Sequence, residues 1–471
     1  MKVLLISTNK EIFPLPVAPI GITCLAATLR KEGYIVKTLD LCFLKHIKKK
    51  LAGCIKSFNP DIIGISVRNL DNSTFIGAKS YLQDTKGIVD YIKRNSKALI
   101  VVGGTGFSSC PSPMLKYLGL CYGIIGEGEE PFLKLVQCVE KKCDIGLIPG
   151  IVYSKGEKIV INKKPDFSHL DNLPKPAWDL IMCDKYMRYG GYGAIQTKRG
   201  CKFDCIYCSY PVLEGDSYRY RSPQAIVDGM QEMKEKGGIR YFYFVDSVFS
   251  FPERHARMVC EEIIRRNLNI GWLAMTNPRS INVKLVELMK QSGCIGVEVG
   301  IDSGSKDMLE RLQKRFTKED IAHTARLYTQ AKIPFSFYLL LGGPGESPDT
   351  IQETVNFLKE IDQPNQVLLN FGIRVYAGTQ LETIARAEGI LKKDEDLLAP
   401  KHYLSKELGI SFLEKLDEYC STQYHWSNAT DWNSPTTILL QKMGQRFQIR
   451  PLWKNAYIMG LTRKLKRFCL R

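Results

Sequence analysis

The chain has 471 residues, 44% apolar and 24% charged, which excludes a disordered or fibrous polypeptide and leaves enough apolar material for a core without disulfide staples. Sixty-six Lys and Arg against 49 Asp and Glu give a formal charge of +17, so an anionic partner is expected: nucleic acid, a membrane surface or a phosphorylated cofactor. No apolar run reaches the about 18 residues of a spanning helix, and MKVLLIST lacks the features of a secretory signal, so a cytoplasmic protein is expected.

Lys2 to Ser7 reads as a buried strand, and Ile20 to Lys31 as a helix with Ile22, Leu25, Ala26 and Leu29 on one face and Gly33 at its end. Strands follow at Tyr34 to Asp40, at IIGISV ending in Val67, at Ala98 to Val102 and at Tyr122 to Ile125, with a helical pattern at Phe75 to Lys93. Short apolar strands alternating with helices predict an α/β, doubly wound, Rossmann-like domain over residues 1–145. The pattern then loosens, and KPDFSHLDNLPKPAWDL with its three prolines predicts a linker over 146–188.

A second series has strands at Ala194 to Thr197, Tyr241 to Val245, Gly271 to Met275, Gly296 to Gly300, Phe335 to Leu341 and Asn370 to Val375. One intervening helix, Pro223 to Lys236, has Ser222 as N-cap and closes at Gly237-Gly238. Six strands with helical crossovers predict a partial TIM-like (βα)6 barrel over 189–400, with its chemistry at the strand carboxyl ends. Residues 401–471 read as a helical, basic C-terminal region.

The 15 cysteines are odd in number, which argues against a disulfide framework. Cys24, Cys42, Cys54, Cys138, Cys260 and Cys294 stand singly in apolar stretches and read as small buried hydrophobes. TKRGCKFDCIYCSYP differs: Cys201, Cys205 and Cys208 form C-x3-C-x2-C just after a strand. Three thiolates on one short loop suit three corners of a cubane iron–sulfur cluster and leave one iron open. A structural zinc would need a fourth ligand at finger-like spacing, which Cys183, His169 and His255 do not provide.

C-x3-C-x2-C after the first strand of such a barrel resembles the radical SAM superfamily. The resemblance implies a [4Fe–4S] cluster on Cys201, Cys205 and Cys208, with S-adenosylmethionine on the open iron, cleaved reductively to a radical that abstracts hydrogen. It further implies cofactor contacts at Tyr207, between the last two cysteines; at Asp246, where Ser247 replaces the second acid of the family's pair; and at Glu298, Asp302 and Ser303 of EVGIDSGS. The loop of Gly342, Gly343 and Gly345, followed by Glu346, resembles the turn beneath the adenine, and Arg374 begins the sixth-strand segment.

The first domain resembles the cobalamin-binding domain that precedes such barrels in one large subgroup. Its strand ends, with Ser66, Asn69, Gly103, Gly104, Gly126, Glu127 and Gly128, are the implied cobalamin contacts, since open sheets bind ligands there. Residues 8–21 contain no histidine, so no Asp-x-His-x-x-Gly ligand lies beneath cobalt, and His46 reads as a solvated surface residue. The expected function is carbon functionalisation by methyl transfer or ring formation, the alternatives being a vestigial cobalamin domain without corrinoid and an iron–sulfur electron-transfer protein. The tRNA methylthiotransferase branch needs a second cysteine cluster that these residues do not form, and no nucleic-acid partner is expected. The resemblance implies an electron donor such as flavodoxin or ferredoxin. Beyond Asp431, nine Lys or Arg from Lys442 to Arg471 intermix with Leu439, Met443, Phe447, Leu452 and Trp453 and no acid. That mixture suits an anionic membrane surface and a lipid-like substrate, with a packed C-terminal helix as the alternative.

Overall fold

The computed structural model describes residues 1–165, 169–428 and 435–455. The first sheet contains β1 (Lys2–Ser7), β2 (Ile35–Asp40), β3 (Ile62–Ser66), β4 (Leu99–Gly103), β5 (Tyr122–Ile124), β6 (Ile151–Lys155) and β7 (Lys158–Ile161). Its order is β2-β1-β3-β4-β5-β6-β7, parallel through β5 and antiparallel beyond. Val3 to Ile6 are fully buried between two helical layers, so the continuous apolar run is the run of a strand covered on both faces.

Two boundaries differ from the expectation. The hairpin β6–β7 turns at Gly156 and belongs to the first sheet, so the stretch read as linker begins inside the domain. The helix expected from Phe75 runs only over Leu82–Asn95, because Asp71 pairs with Ser80 and closes an irregular loop ahead of it. Cys138, read as a lone hydrophobe, is joined to Cys143, which the left-handed Lys142 brings back against the helix end.

The second sheet holds β8 (Gly193–Ile195), then, past the short hairpin of β9 (Lys198–Arg199) and β10 (Arg219–Tyr220), β11 (Tyr241–Phe244), β12 (Gly271–Thr276), β13 (Cys294–Asp302), β14 (Phe335–Leu341) and β15 (Gln366–Phe371). The sixth strand lies four residues earlier than expected: it breaks at Gly372, and β16 (Ile373–Arg374) pairs antiparallel with β17 (His402–Tyr403). A seventh strand, β18 (Trp426–Asn428), extends the parallel sheet on β15, inside the region expected to be helical throughout. The sheet stays open, with β8 and β18 as its edges. Ser222 caps the helix Pro223–Gly237 as expected, accepting from the Ala225 amide at 3.4 Å.

Arg450, Pro451 and Trp453 pack inward and not onto the surface expected of an interfacial sequence. Arg450 donates to the Met187 carbonyl at 2.7 Å and its guanidinium stands 4.6 Å from the Tyr241 ring centroid. Trp453 donates to Glu298 at 3.1 Å, and a side chain on Gly296 would collide with Trp453 and Pro451. Arg450, Pro451 and Trp453 thus fill the interior of the open barrel, whose lining tyrosines match their aromatic and cationic character. Of the residues named for the interfacial reading, Leu439, Met443 and Phe447 remain exposed, and residues 456–471 lie outside the described ones.

Candidate active site

The cysteine loop leaves β9 through Gly200, whose φ of +89° is left-handed and whose missing Cβ would stand 2.1 Å from the Ser217 carbonyl oxygen. The Cys201 amide donates to the Gly215 carbonyl at 3.0 Å, closing the loop, and the Cys208 amide donates to Cys205 at 3.0 Å. Burial pushes the Cys208 thiol up to about 12 and the Cys205 thiol upward, so iron must displace their protons. Among the described residues, no three Cys, His, Asp or Glu side chains converge as they would on a single ion. A cubane instead takes each thiolate on a different iron, and the loop, with Tyr218 O–H 3.9 Å from Cys201 Sγ, fits that arrangement.

Several residues expected at the cofactors bond to other protein groups, some of them at the base of the loop. Asp246 accepts from the Thr197 amide at 2.7 Å, the Thr197 hydroxyl at 2.5 Å and the buried Lys198 ammonium at 3.2 Å. Its oxygens therefore fix the strand that leads into Cys201. Ser247, in place of the second acid, donates to the Gly200 carbonyl at 3.1 Å. Ser303 bonds Thr354 at 2.9 Å and faces the helix Pro348–Glu360. Arg374 is buried against Asp71 at 3.0 Å and donates to the Val375 and Leu397 carbonyls. Glu127 pairs with Arg199 at 2.7 Å and with Arg219, while Glu129 takes the other arm of Arg199 at 2.5 Å. Burial pushes the Glu129 carboxyl up, but the Arg199 charge and hydrogen bonds outweigh it and hold Glu129 below the usual carboxylate range.

Other expected residues do surround the cluster loop. The Tyr207 hydroxyl bonds Asp302, which also accepts from Lys314 at 2.7 Å. Lys314 was not singled out from sequence; its position, twelve residues after Asp302 in a helix-to-helix turn, carries no periodic signal. Glu298 accepts from Tyr243 at 2.6 Å as well as from Trp453; burial raises its pKa and these hydrogen bonds oppose the rise. The Gly343 amide donates to Glu346 at 3.0 Å and the Gly342 amide donates to the same oxygen, which shapes the glycine turn. Gly345 sits in that turn with φ of +74°, under the Arg311 guanidinium.

A cavity of about 480 Å³ lies where the carboxyl ends of both sheets meet. Ser66, Asn69, Gly103, Gly104, Gly126 and Gly128 line it from the first domain; Gln196, Val245 and Tyr376 from the second; and Ser209 and Tyr210, directly after Cys208, from the loop. It runs inward between β1, β3 and the helix Ile20–Lys31, past Leu5, Ile22, Leu25 and Phe132. An apolar slot with a polar mouth suits a corrinoid with its tail inserted, and no histidine lines it. Gly104 is required by the chain itself, since with φ of +93° its Cβ would lie 2.6 Å from the Val67 oxygen. Arg68, also missed from sequence, reaches this cavity with no ion-pair partner among the described residues.

Glu346 yields a pH prediction. One of its oxygens is buried without a partner, and burial lifts its pKa from 4.5 to about 7. A carboxyl raised in the folded state stabilises the fold below its unfolded pKa and loses that contribution as pH rises through the folded value. Stability of the wild type is therefore expected to fall between pH 4.5 and about 7 relative to Glu346→Gln, whose unfolding should lack this component. Denaturant unfolding of both proteins across this range checks it; parallel pH profiles would contradict it.

The comparisons with known proteins agree with this geometry. The family model described as Radical SAM superfamily matches residues 195–358, and the B12 binding domain matches residues 12–136. An uncharacterized methyltransferase of Pyrococcus horikoshii is 27% identical over 83% of this chain and 84% of its own length. Tryptophan 2-C-methyltransferase of Streptomyces laurentii is 25% identical over 76% of this chain and 70% of its own. The solved structure of the radical S-adenosylmethionine methyltransferase TsrM from Kitasatospora setae, with cobalamin and a [4Fe–4S] cluster bound, shares the fold over 99% of both chains at a TM-score of 0.83 and 23% identity. With a B12-binding domain set over a radical SAM domain across one cavity, the chain belongs to the cobalamin-binding radical SAM enzymes.

Proposed function

We propose that this enzyme transfers a methyl group from S-adenosylmethionine to an unactivated carbon of a small molecule, with cobalamin as carrier. The observation that carries the reading is the single cavity that receives the carboxyl ends of both sheets and is bordered by the residues following Cys208. When bound, the cluster supplies an electron to S-adenosylmethionine and the corrinoid supplies a cobalt able to carry methyl. Cys201, Cys205 and Cys208 would hold the cluster by three thiolates. Tyr207, Asp302 and the Gly342–Gly345 turn border the S-adenosylmethionine site, with Lys314 fixing Asp302. Ser66, Asn69, Gly103, Gly126 and Gly128 would hold the corrinoid, in a cavity that no histidine lines.

Ring formation uses the same parts and is the second reading: an anaerobic magnesium-protoporphyrin IX monomethyl ester cyclase of Rubrivivax gelatinosus matches 73% of this chain, against 83% and 76% for the two methyltransferases. A corrinoid-free scaffold would leave the apolar slot without an occupant, and an electron-transfer protein would take a fourth thiolate. The electron comes from a reduced flavodoxin or ferredoxin. Leu439 and Met443 on the helix Pro435–Arg446, with Phe447 just after its end, are exposed beside Lys442 and Arg446, which suits a peripheral contact with an anionic leaflet. No described helix is long and apolar enough to cross a membrane.

Two experiments test these statements. After anaerobic reconstitution, the wild type is expected to retain a corrinoid and to release both 5′-deoxyadenosine and S-adenosylhomocysteine. Changing Cys201, Cys205 and Cys208 together to Ala should abolish 5′-deoxyadenosine, and continued production would refute the cluster assignment. Co-sedimentation with anionic vesicles at low salt should weaken on changing Leu439, Met443 and Phe447 to Ser; unchanged sedimentation would remove the membrane contact.

A further inference from the structure

A second cavity, of about 760 Å³, lies beside the first, between the helix Ile20–Lys31, the segment 174–184 and the helix Pro223–Gly237. Ile20, Cys24, Ala194, Gln196 and Arg199 line both cavities and form the wall between them. β8 is an edge strand, so its flank here is covered by no further strand. The remaining walls are mostly apolar, including Ala27, Pro176, Trp178, Ile226, Met233 and Ile239.

The charges are unevenly matched. At the rim, Arg30 pairs with Asp179 at 2.7 Å, Lys175 with Glu232 at 3.5 Å and Lys236 with Glu232 at 2.8 Å. Arg199 is neutralised by Glu127 and Glu129. Arg221 also lines the cavity, but its guanidinium has no hydrogen bond or ion pair among the described residues. Burial lowers its pKa, as does the neighbouring Arg199 charge; the nearby Cys24, Asp171 and Glu129 oppose this without contact. A partly buried cation without a partner is costly, and a bound oxyanion would satisfy its planar fork. Arg221 is also rigidly placed: its amide donates to the Thr197 carbonyl at 2.9 Å, and Thr197 is held by Asp246 at the start of the cysteine loop.

We propose that this second cavity is the port and anchoring site for the substrate, and that it takes an amphipathic anion: an apolar body bearing one carboxylate or phosphate, held by Arg221. The proposal rests on the methyl-transfer reading and names the substrate class for it. Arg221 stands next to the shared wall, its amide on the Thr197 carbonyl; there it fixes the acid group, and the apolar walls of this cavity receive the body.

Fluorescence titration of the anaerobically reconstituted holoenzyme with dansyl-undecanoate, an apolar chain with one carboxylate, tests it. The wild type should bind the probe, Arg221→Gln about tenfold or more weakly, and Arg221→Lys between the two, because a charge-assisted hydrogen bond is lost and then partly restored. Dodecyl phosphate and dodecanoate should both displace the probe, the stronger one identifying the acid group, whereas neutral dodecanol should displace it poorly. Ala225→Phe fills the cavity from the adjoining helix, leaves Arg221 in place and should also lose binding, which covers the case of an unfolded Arg221→Gln. Absence of binding to the wild type, equal binding by both variants, or displacement of the probe by added cobalamin would overturn the proposal. If 5′-deoxyadenosine and S-adenosylhomocysteine still form when the probe does not bind, only the anion site falls; if the wild type fails to form them, the methyl-transfer reading falls instead.

Discussion

Arg199 lies between two carboxylates of the other domain, Glu127 and Glu129, and the placement of everything above the cluster loop depends on that contact. It is one residue before the glycine that turns into Cys201, so the loop and the first domain are held by the same side chain. Asp71 with Arg374 makes a second buried pair between the domains. Buried pairs of this kind add little net stability, but removing one partner leaves an uncompensated charge at a cost of about 3–5 kcal/mol. Their role here is to fix a single orientation, in which the carboxyl ends of one sheet face those of the other.

That orientation accounts for the partners of several conspicuous acids and bases. Asp246 spends its oxygens on Thr197 and Lys198, and Arg374 on Asp71 and backbone carbonyls. These residues are positioning groups: they hold the cysteine loop and the domain contact beside a cavity that small residues, Arg68, Gln196 and tyrosines line together with the paired Asp71, Glu127, Glu129 and Arg199. The C-terminal segment acts similarly from below. Trp453 and Arg450 occupy the open barrel interior, and Trp453 shares Glu298 with Tyr243, so the floor beneath the cofactors is a connected polar network.

The cysteine spacing, the glycine turn and the alternating strands were legible because each is a local pattern with a local cause. The hairpin β6–β7 was missed although SKGEK is a turn, since neighbouring prolines masked its short strands. β18 has only three residues and makes sense only once β15 offers it an edge. The Arg199 and Arg374 contacts join residues 70 and 303 positions apart, so no periodicity carries them. Arg450 and Trp453 fitted two environments equally well in sequence, and only the barrel interior, with Tyr241 and Glu298 beside them, distinguishes the two.

The central claim is that one cavity brings the corrinoid and the cluster face to face. Electron paramagnetic resonance of the reconstituted wild type, with cobalt in its Co(II) state and the cluster reduced, tests this most directly. Two paramagnetic centres facing each other across this cavity should broaden or split each other's signals, and Arg199→Ala should weaken that interaction while both cofactors remain bound. Two magnetically isolated centres in the wild type would contradict the account.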